Sequence, residues 1–139
     1  MRRCVRPAPV LLLALLVTTS CGGRERPWTE APRVAIDLVA KLSATSVPLL
    51  APFEVQLDLY RRKDLEVDFE PAVPAGCSGT VELFGEQELG DGRTRQAVLR
   101  LVPIAGPGPL KLPPFVAKAK DGTVSASTAE LQLEVTSLL

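Results

Sequence analysis

Short segments in which apolar and polar residues strictly alternate constrain the fold of this chain more than any other feature. The clearest is residues 53–60, FEVQLDLY. Strict alternation over eight residues is typical of a β-strand with one buried face. Helical spacing fits poorly, because it would place Glu54 and Asp58 on one face and apolar residues on all the others. Similar alternation is found in residues 34–42, 65–69, 94–104 and 130–135.

Turn residues separate these segments at regular intervals. Gly90-Asp91-Gly92 and Asp121-Gly122 are typical of tight hairpin turns, and residues 71–79 and 105–109 form longer connections rich in proline and glycine. No segment shows a convincing amphipathic helix. About seven to eight short strands predict an all-β fold, an antiparallel β-sandwich or small barrel. The 107 residues from Arg33 onward suit one domain.

The N-terminal region has the pattern of a secretory signal. Arg2, Arg3 and Arg6 precede an apolar run at residues 10–17, which is too short to cross a bilayer because a spanning helix needs about 20 apolar residues. A basic start, a short apolar segment and small residues before a break are typical of an exported protein.

The end of this signal resembles a bacterial lipobox, in which a cysteine is diacylated and the signal is cut just before it. Thr18-Thr19-Ser20-Cys21 has a suitably small residue before the cysteine, although Thr18 stands where leucine is usual. The alternative is an ordinary signal peptide that contains a cysteine. We predict a signal peptide over residues 1–20, lipidation of Cys21, a flexible tether up to residue 32 and a β-sandwich domain over 33–139.

Lipidation of Cys21 would place the protein on a membrane, because two acyl chains give stable anchoring where one chain does not. The next residue is Gly22 rather than aspartate. In a Gram-negative bacterium, the lipoprotein pattern then implies the outer membrane, facing the periplasm. Trp28 in the tether is compatible with a position on the lipid headgroups or with packing at the base of the domain, and the sequence does not choose.

Charge and residue types exclude several classes of function. From Cys21 onward the chain has 13 basic and 16 acidic residues, a net charge of −3. This argues against a nucleic-acid surface, which needs clustered positive charge. The chain has no histidine, which excludes Ser-His-Asp and Cys-His catalysis and argues against a zinc or copper site. We predict no cofactor, and we expect Cys77 to be a packed or partly covered thiol.

Two surfaces are candidates for partner contacts. The first is an acidic row in an alternating segment: Asp64, Glu66, Asp68 and Glu70. It suits calcium or a cationic partner, since hard cations bind several oxygens. The alternative, favoured by the spacing of nearly 7 Å between alternate residues, is a solvated edge strand whose charges discourage pairing. The second candidate is the strand edge near Pro113, Pro114 and Phe115.

Three segments resemble one domain of the BatD-type proteins, bacterial envelope proteins linked to aerotolerance: residues 47–59, 108–115 and 127–139. The second, GPLKLPPF, resembles the family's Gly-x-x-x-Ile-Pro-Pro segment. The resemblance implies an immunoglobulin-like β-sandwich and association with von Willebrand factor A domain proteins and MoxR-type ATPases. Ala51-Pro52 departs from the family's Gly-Glu. We expect a lipid on Cys21 in place of the transmembrane helix and multiple repeats of full-length family members. The resemblance implies no catalytic residues.

These observations favour a lipid-anchored, non-catalytic interaction or adaptor module that binds another envelope protein. One alternative is a periplasmic carrier of a small apolar ligand in a β-barrel, although aromatic residues make up only 4% of the chain. The other is a hydrolase that uses two carboxylates about 5–10 Å apart across a cleft. The acidic residues mostly occupy polar positions of strands, which disfavours the hydrolase.

Overall fold

A computed structural model describes residues 26–138 of the chain. The predicted signal peptide, Cys21 and the first part of the tether lie outside the described residues. Within the described range the chain forms eleven β-strands and no helix, and therefore no helix that could cross a membrane. The strands are β1 Ile36–Leu42, β2 Ser46–Pro48, β3 Phe53–Arg62, β4 Val67–Asp68, β5 Cys77–Leu83, β6 Gln87–Leu89, β7 Gly92–Pro103, β8 Gly108–Leu112, β9 Val116–Ala119, β10 Ser125–Ser127 and β11 Leu131–Thr136.

The first sheet has the order β1-β3-β7-β5, with β6 beside the start of β7, and all its pairs are antiparallel. The two long central strands follow the alternation of the sequence. Val55 and Leu57 of β3 and Leu99 of β7 are fully buried between the sheets, and the intervening residues lie on the outer face. Burial of one apolar face fixes the register, since a slip of one residue would turn that face to solvent.

The other six strands form two three-stranded sheets, β10-β9-β4 and β2-β11-β8. One long hairpin joins these two sheets, and we call them together the second sheet. Ser125 pairs with Lys118 where β10 meets β9, and Leu131 pairs with Leu112 where β11 meets β8, so one register runs through both halves. The short strand β4 pairs with β9 on one side, and β2 pairs with β11 in parallel on the other. Across this layer, β4 is followed by the arm of the hairpin that contains β8 and β9, then by the arm that contains β10 and β11, and finally by β2.

Pro113 and Pro114 interrupt this hairpin, because proline has no backbone N–H to donate to the ladder. The break is closed beside them by Thr128. The backbone N–H of Phe115 donates to Oγ1 of Thr128 at 2.9 Å, and the N–H of Thr128 donates to the C=O of Phe115 at 2.9 Å. One buried threonine thus replaces a missing rung and keeps both halves in register.

The predicted all-β sandwich is confirmed: the five-stranded sheet packs against the two joined three-stranded sheets around one hydrophobic core, and all pairs but β2–β11 are antiparallel. The strand order of the first sheet is that of the four-stranded sheet in immunoglobulin-type sandwiches. The second sheet takes the place of the sheet that packs against it. The strand count is about eleven rather than seven or eight. The difference arises because β2, β4, β6 and β10 have only two or three residues each, too few to show a period, and because the two prolines divide one strand.

The segment before β1 packs on the outer face of the first sheet. The indole N–H of Trp28 donates to Oδ2 of Asp37 at 3.0 Å, and its ring meets that of Tyr60 edge to face with centroids 6.0 Å apart. Arg26 donates to the C=O of Glu88 at 3.2 Å. The described part of the predicted tether, residues 26–32, therefore belongs to the domain, and Trp28 lies at the domain's base.

Candidate functional site

The four residues of the acidic row, Asp64, Glu66, Asp68 and Glu70, are all exposed. Leu65 and Phe69 between them are buried in the core, as the alternation predicts. The strand itself is shorter than predicted, since only Val67–Asp68 pairs in a ladder. Two paired residues suffice to turn the acidic side chains outward, because the buried leucine and phenylalanine hold the flanking backbone.

The acidic row lies beside Lys118 of β9 and Lys120, which follows that strand. Asp68 is directly opposite Lys118, and the N–H of Lys120 donates to the C=O of Glu66 at 2.8 Å. Facing opposite charges on neighbouring strands attract one another, so the surface carries both signs. Over the described part of the chain, no group of three or more acidic or cysteine side chains is arranged to hold a metal ion. The geometry therefore gives no support to a calcium site.

The second predicted surface is only partly available to a partner. Pro113 and Pro114 are exposed, but Phe115 is 8% exposed and belongs to the core. The expectation that Phe115 lies on a contact surface is wrong, because its side chain takes the inward position that follows the proline interruption. The strand that follows the prolines, β9, is not at the edge of its sheet, since β4 lies on one side of it and β10 on the other.

One end of the sandwich is dense in charge. The turn after β3, the β6–β7 hairpin and the β9–β10 hairpin meet there: the N–H of Lys63 donates to the C=O of Asp91. Ion pairs of Arg61 with Glu86 at 3.0 Å and of Lys63 with Glu88 at 3.5 Å join the turns. Arg26 also reaches this end. We call it the charged end.

At the opposite end, four described segments meet that contain no charged side chain. They are residues 48–52, 75–79, 103–109 and 136–138, which contain no Asp, Glu, Lys or Arg. Backbone hydrogen bonds join these connections. The N–H of Leu50 donates to the C=O of Pro103, and the N–H of Leu49 donates to the C=O of Thr136. We call this surface the uncharged end.

Three large aliphatic side chains project from the uncharged end: Leu50, Ile104 and Leu138 are each more than half exposed. Leu50 also has φ of +70°, a left-handed conformation that is costly for a residue with a Cβ. Strain of this kind persists only where the surroundings impose it, and it is concentrated at functional sites. The exposed side chain of Leu50 gains little burial in return. The uncharged end is therefore the strongest candidate for a contact surface.

The outer face of the first sheet contains one buried carboxylate, that of Asp58, at 3% exposure. Its Oδ2 accepts a hydrogen bond from the side-chain amide of Gln56 at 2.8 Å, whereas Oδ1 has no partner. Burial raises the pKa of Asp58, and the hydrogen bonds from Gln56 and Gln96 with the charges of Lys41 and Arg26 only partly oppose this. The group lies beneath the segment that carries Arg26 and Trp28.

Cys77 lies at the start of β5 and is buried in the core. Burial raises the pKa of its thiol, which disfavours the reactive thiolate. The expectation of a packed thiol is confirmed.

Sequence reasoning missed the uncharged end, although its signal was present. The sequence predicts connections at residues 71–79 and 105–109, but no pattern along the chain shows that these meet residues 48–52 and 136–138. Their common lack of charge becomes a property of one surface only when the strand order is known.

A comparison with models of known protein families finds no match for this chain, and neither does a comparison with curated proteins.

Proposed function

We propose that this protein is a lipid-anchored, non-catalytic interaction module of a bacterial cell envelope, resembling a BatD-type domain, which contacts a partner through its uncharged end. The observation that carries the proposal is that the N-terminal segment and the exposed aliphatic side chains lie at opposite ends of the sandwich. The N-terminal segment reaches the domain at the charged end, and the exposed aliphatic side chains lie at the other.

A lipid on Cys21 would orient the domain. Four residues lie between Cys21 and Arg26, and even when fully extended the chain spans only about 17 Å over these five residue steps. The charged end then stays close to the bilayer. Strand β7, with twelve residues, is about 40 Å long at roughly 3.4 Å per residue. The uncharged end is therefore held away from the membrane, where a partner can reach it.

The proposed partner is another envelope protein with an apolar, uncharged contact surface. Burial of aliphatic side chains drives such association, and a partner charge placed against this end would lose solvation without a counter-charge. The resemblance favours a partner of the von Willebrand factor A or MoxR-associated type. In a Gram-negative bacterium the pattern at Cys21 and Gly22 favours the outer membrane, facing the periplasm.

The anchor is tested by fractionation of cells that express the wild type or Cys21→Ala. We expect the wild type in the membrane fraction and an unprocessed or differently distributed Cys21→Ala protein. A wild type found in the soluble fraction would contradict the anchor.

The contact surface is tested by photocrosslinking in intact cells, with the same photoreactive amino acid at position 50 or at position 62. Arg62 is exposed at the charged end and serves as the control position. We expect one defined envelope protein to be crosslinked from position 50 and lost when Ile104 is replaced by Asp. Equal crosslinking from both positions, or none from position 50, would contradict the contact surface.

A further inference from the structure

Strand β5 lies at the outer edge of the first sheet, with β7 on one side only. The N–H of Phe84 donates to the C=O of Gln96, so Phe84 and Gln96 are a hydrogen-bonded pair. In an antiparallel ladder such pairs alternate with pairs that are not hydrogen-bonded to each other, so every second residue of β5 bonds to β7. By this alternation, Gly79, Val81 and Leu83 direct their backbone N–H and C=O groups to the open side. No backbone group of residues 26–138 bonds to them there.

The other edges of the sandwich have features that discourage pairing with another chain. Strand β4 is two residues long and acidic, β8 contains Pro109 and Lys111, and β2 has three residues and ends at Pro48. Strand β1 lies against β10. Short length, proline and charge are the usual protections of an edge.

Strand β5 has none of these protections. It is seven residues long and contains neither proline nor lysine. Its single charge, on Glu82, is paired with Arg100 of β7 at 2.7 Å. The carboxylate is thus held on the outer face of its own sheet and does not repel an approaching strand.

We infer that β5 is the interface with a second copy of this chain, pairing with the partner's β5 in antiparallel orientation about a two-fold axis at Val81. Gly79 of one copy then faces Leu83 of the other. Each copy contributes three donors and three acceptors, from Gly79, Val81 and Leu83, so six backbone hydrogen bonds join the two sheets into one.

The side chains suit this register. On the inner side, Leu83, which is 42% exposed, lies over Gly79 of the other copy, where no side chain obstructs it. On the outer side, Thr80 faces Glu82 of the other copy, so no like charges stand directly opposite. This inference concerns assembly and does not depend on the lipid anchor or on the uncharged end.

The first test is sedimentation velocity of the purified full-length chain over a concentration series, comparing wild type, Thr80→Lys and Thr80→Glu. The two variants place charges of opposite sign opposite Glu82 of the other copy, and within its own chain each lies opposite Arg100 of β7. We expect a concentration-dependent dimer for the wild type, association at least as strong for Thr80→Lys, and association at least tenfold weaker for Thr80→Glu. A monomer at every concentration, or equal association of the two variants, would overturn the inference.

The second test removes one donor from the open edge. Val81→Pro deletes an N–H that points away from β7, and proline is tolerated on edge strands at such positions. We expect a folded monomer, with circular dichroism like that of the wild type. If Val81→Pro does not fold, Leu83→Pro at the end of the strand makes the same test. A folded proline variant that dimerises like the wild type would overturn the inference.

Discussion

At the scale of single residues, Thr128 and Asp58 show how one side chain either completes or disturbs a β-ladder. Thr128 supplies an acceptor where Pro113 and Pro114 interrupt the hairpin. Asp58 places a carboxylate on a buried part of the outer face, with one oxygen unpartnered. The two have opposite consequences for stability, since a satisfied buried polar group is tolerated and an unsatisfied one is costly.

We expect Thr128→Val to lower the free energy of unfolding by about 1–3 kcal/mol, because the buried N–H of Phe115 then has no acceptor. Valine has nearly the same shape as threonine, so packing is kept. Chemical denaturation measures the change. Thr128→Ser retains the hydroxyl and is the control. Equal stability of the valine and serine variants would show that the hydrogen bond contributes nothing.

We expect Asp58→Asn to be more stable than the wild type at pH 7 and to lose this advantage toward pH 4. The pKa of Asp58 is raised in the folded state by burial, so the wild type is most favoured where the carboxyl is protonated. It loses stability as pH rises from the unfolded-state pKa through the folded-state pKa. Denaturation at several pH values measures this. A difference that is constant across pH would contradict it.

At the scale of elements, the segment before β1 behaves as part of the sandwich and not as a tether. Trp28 packs on Tyr60, and Arg26 reaches Glu88 and Thr94 on the neighbouring strands. The segment covers outer-face residues of β3 that would otherwise meet solvent. It also determines which end of the domain the N-terminus approaches.

We expect Trp28→Ala to lower the free energy of unfolding by about 1–3 kcal/mol, through loss of the aromatic contact and of buried area. Trp28→Phe keeps an aromatic ring and removes only the hydrogen bond to Asp37, so a smaller loss is expected. Since Trp28 is the only tryptophan, its fluorescence in the wild type reports the docking directly. Emission typical of a fully exposed indole in the native protein would contradict the contact.

At the scale of the whole molecule, the two ends of the sandwich differ in charge and in side-chain exposure. The charged end binds its own turns together through ion pairs. The uncharged end exposes three aliphatic side chains and holds Leu50 in a strained conformation. A fold optimised for stability alone would have glycine or asparagine at such a position, since these residues adopt positive φ at little cost.

We expect Leu50→Gly to raise the free energy of unfolding by up to about 1 kcal/mol, because the strain is relieved, and to weaken crosslinking of the proposed partner at the uncharged end. Stability and binding would then change in opposite directions. Ile104→Ala, at a position without positive φ, is the control and should weaken binding with no gain in stability. For this experiment the photoreactive group is placed at position 138. A Leu50→Gly protein that is less stable than the wild type would contradict the role of strain.

Much of the architecture follows from local patterns. Alternation identified β3, β7 and β11 because each long strand has one face in the core, and turn residues located the hairpins at Gly90-Asp91 and Asp121-Gly122. The short strands β2, β4, β6 and β10 could not be predicted, since they form through pairing with longer neighbours. Phe115 was misplaced because a proline pair does not show which way the next side chain turns.

The sequence by itself determined the fold class, the exclusion of histidine-dependent chemistry and the outward position of the acidic row, because these depend on residue type and on a period of two. Only the tertiary structure decided the surfaces. The strand order brought four uncharged segments to one end, placed Lys118 and Lys120 beside the acidic row, and left β5 with an open edge. These features depend on contacts between residues far apart in the chain, which no local pattern specifies.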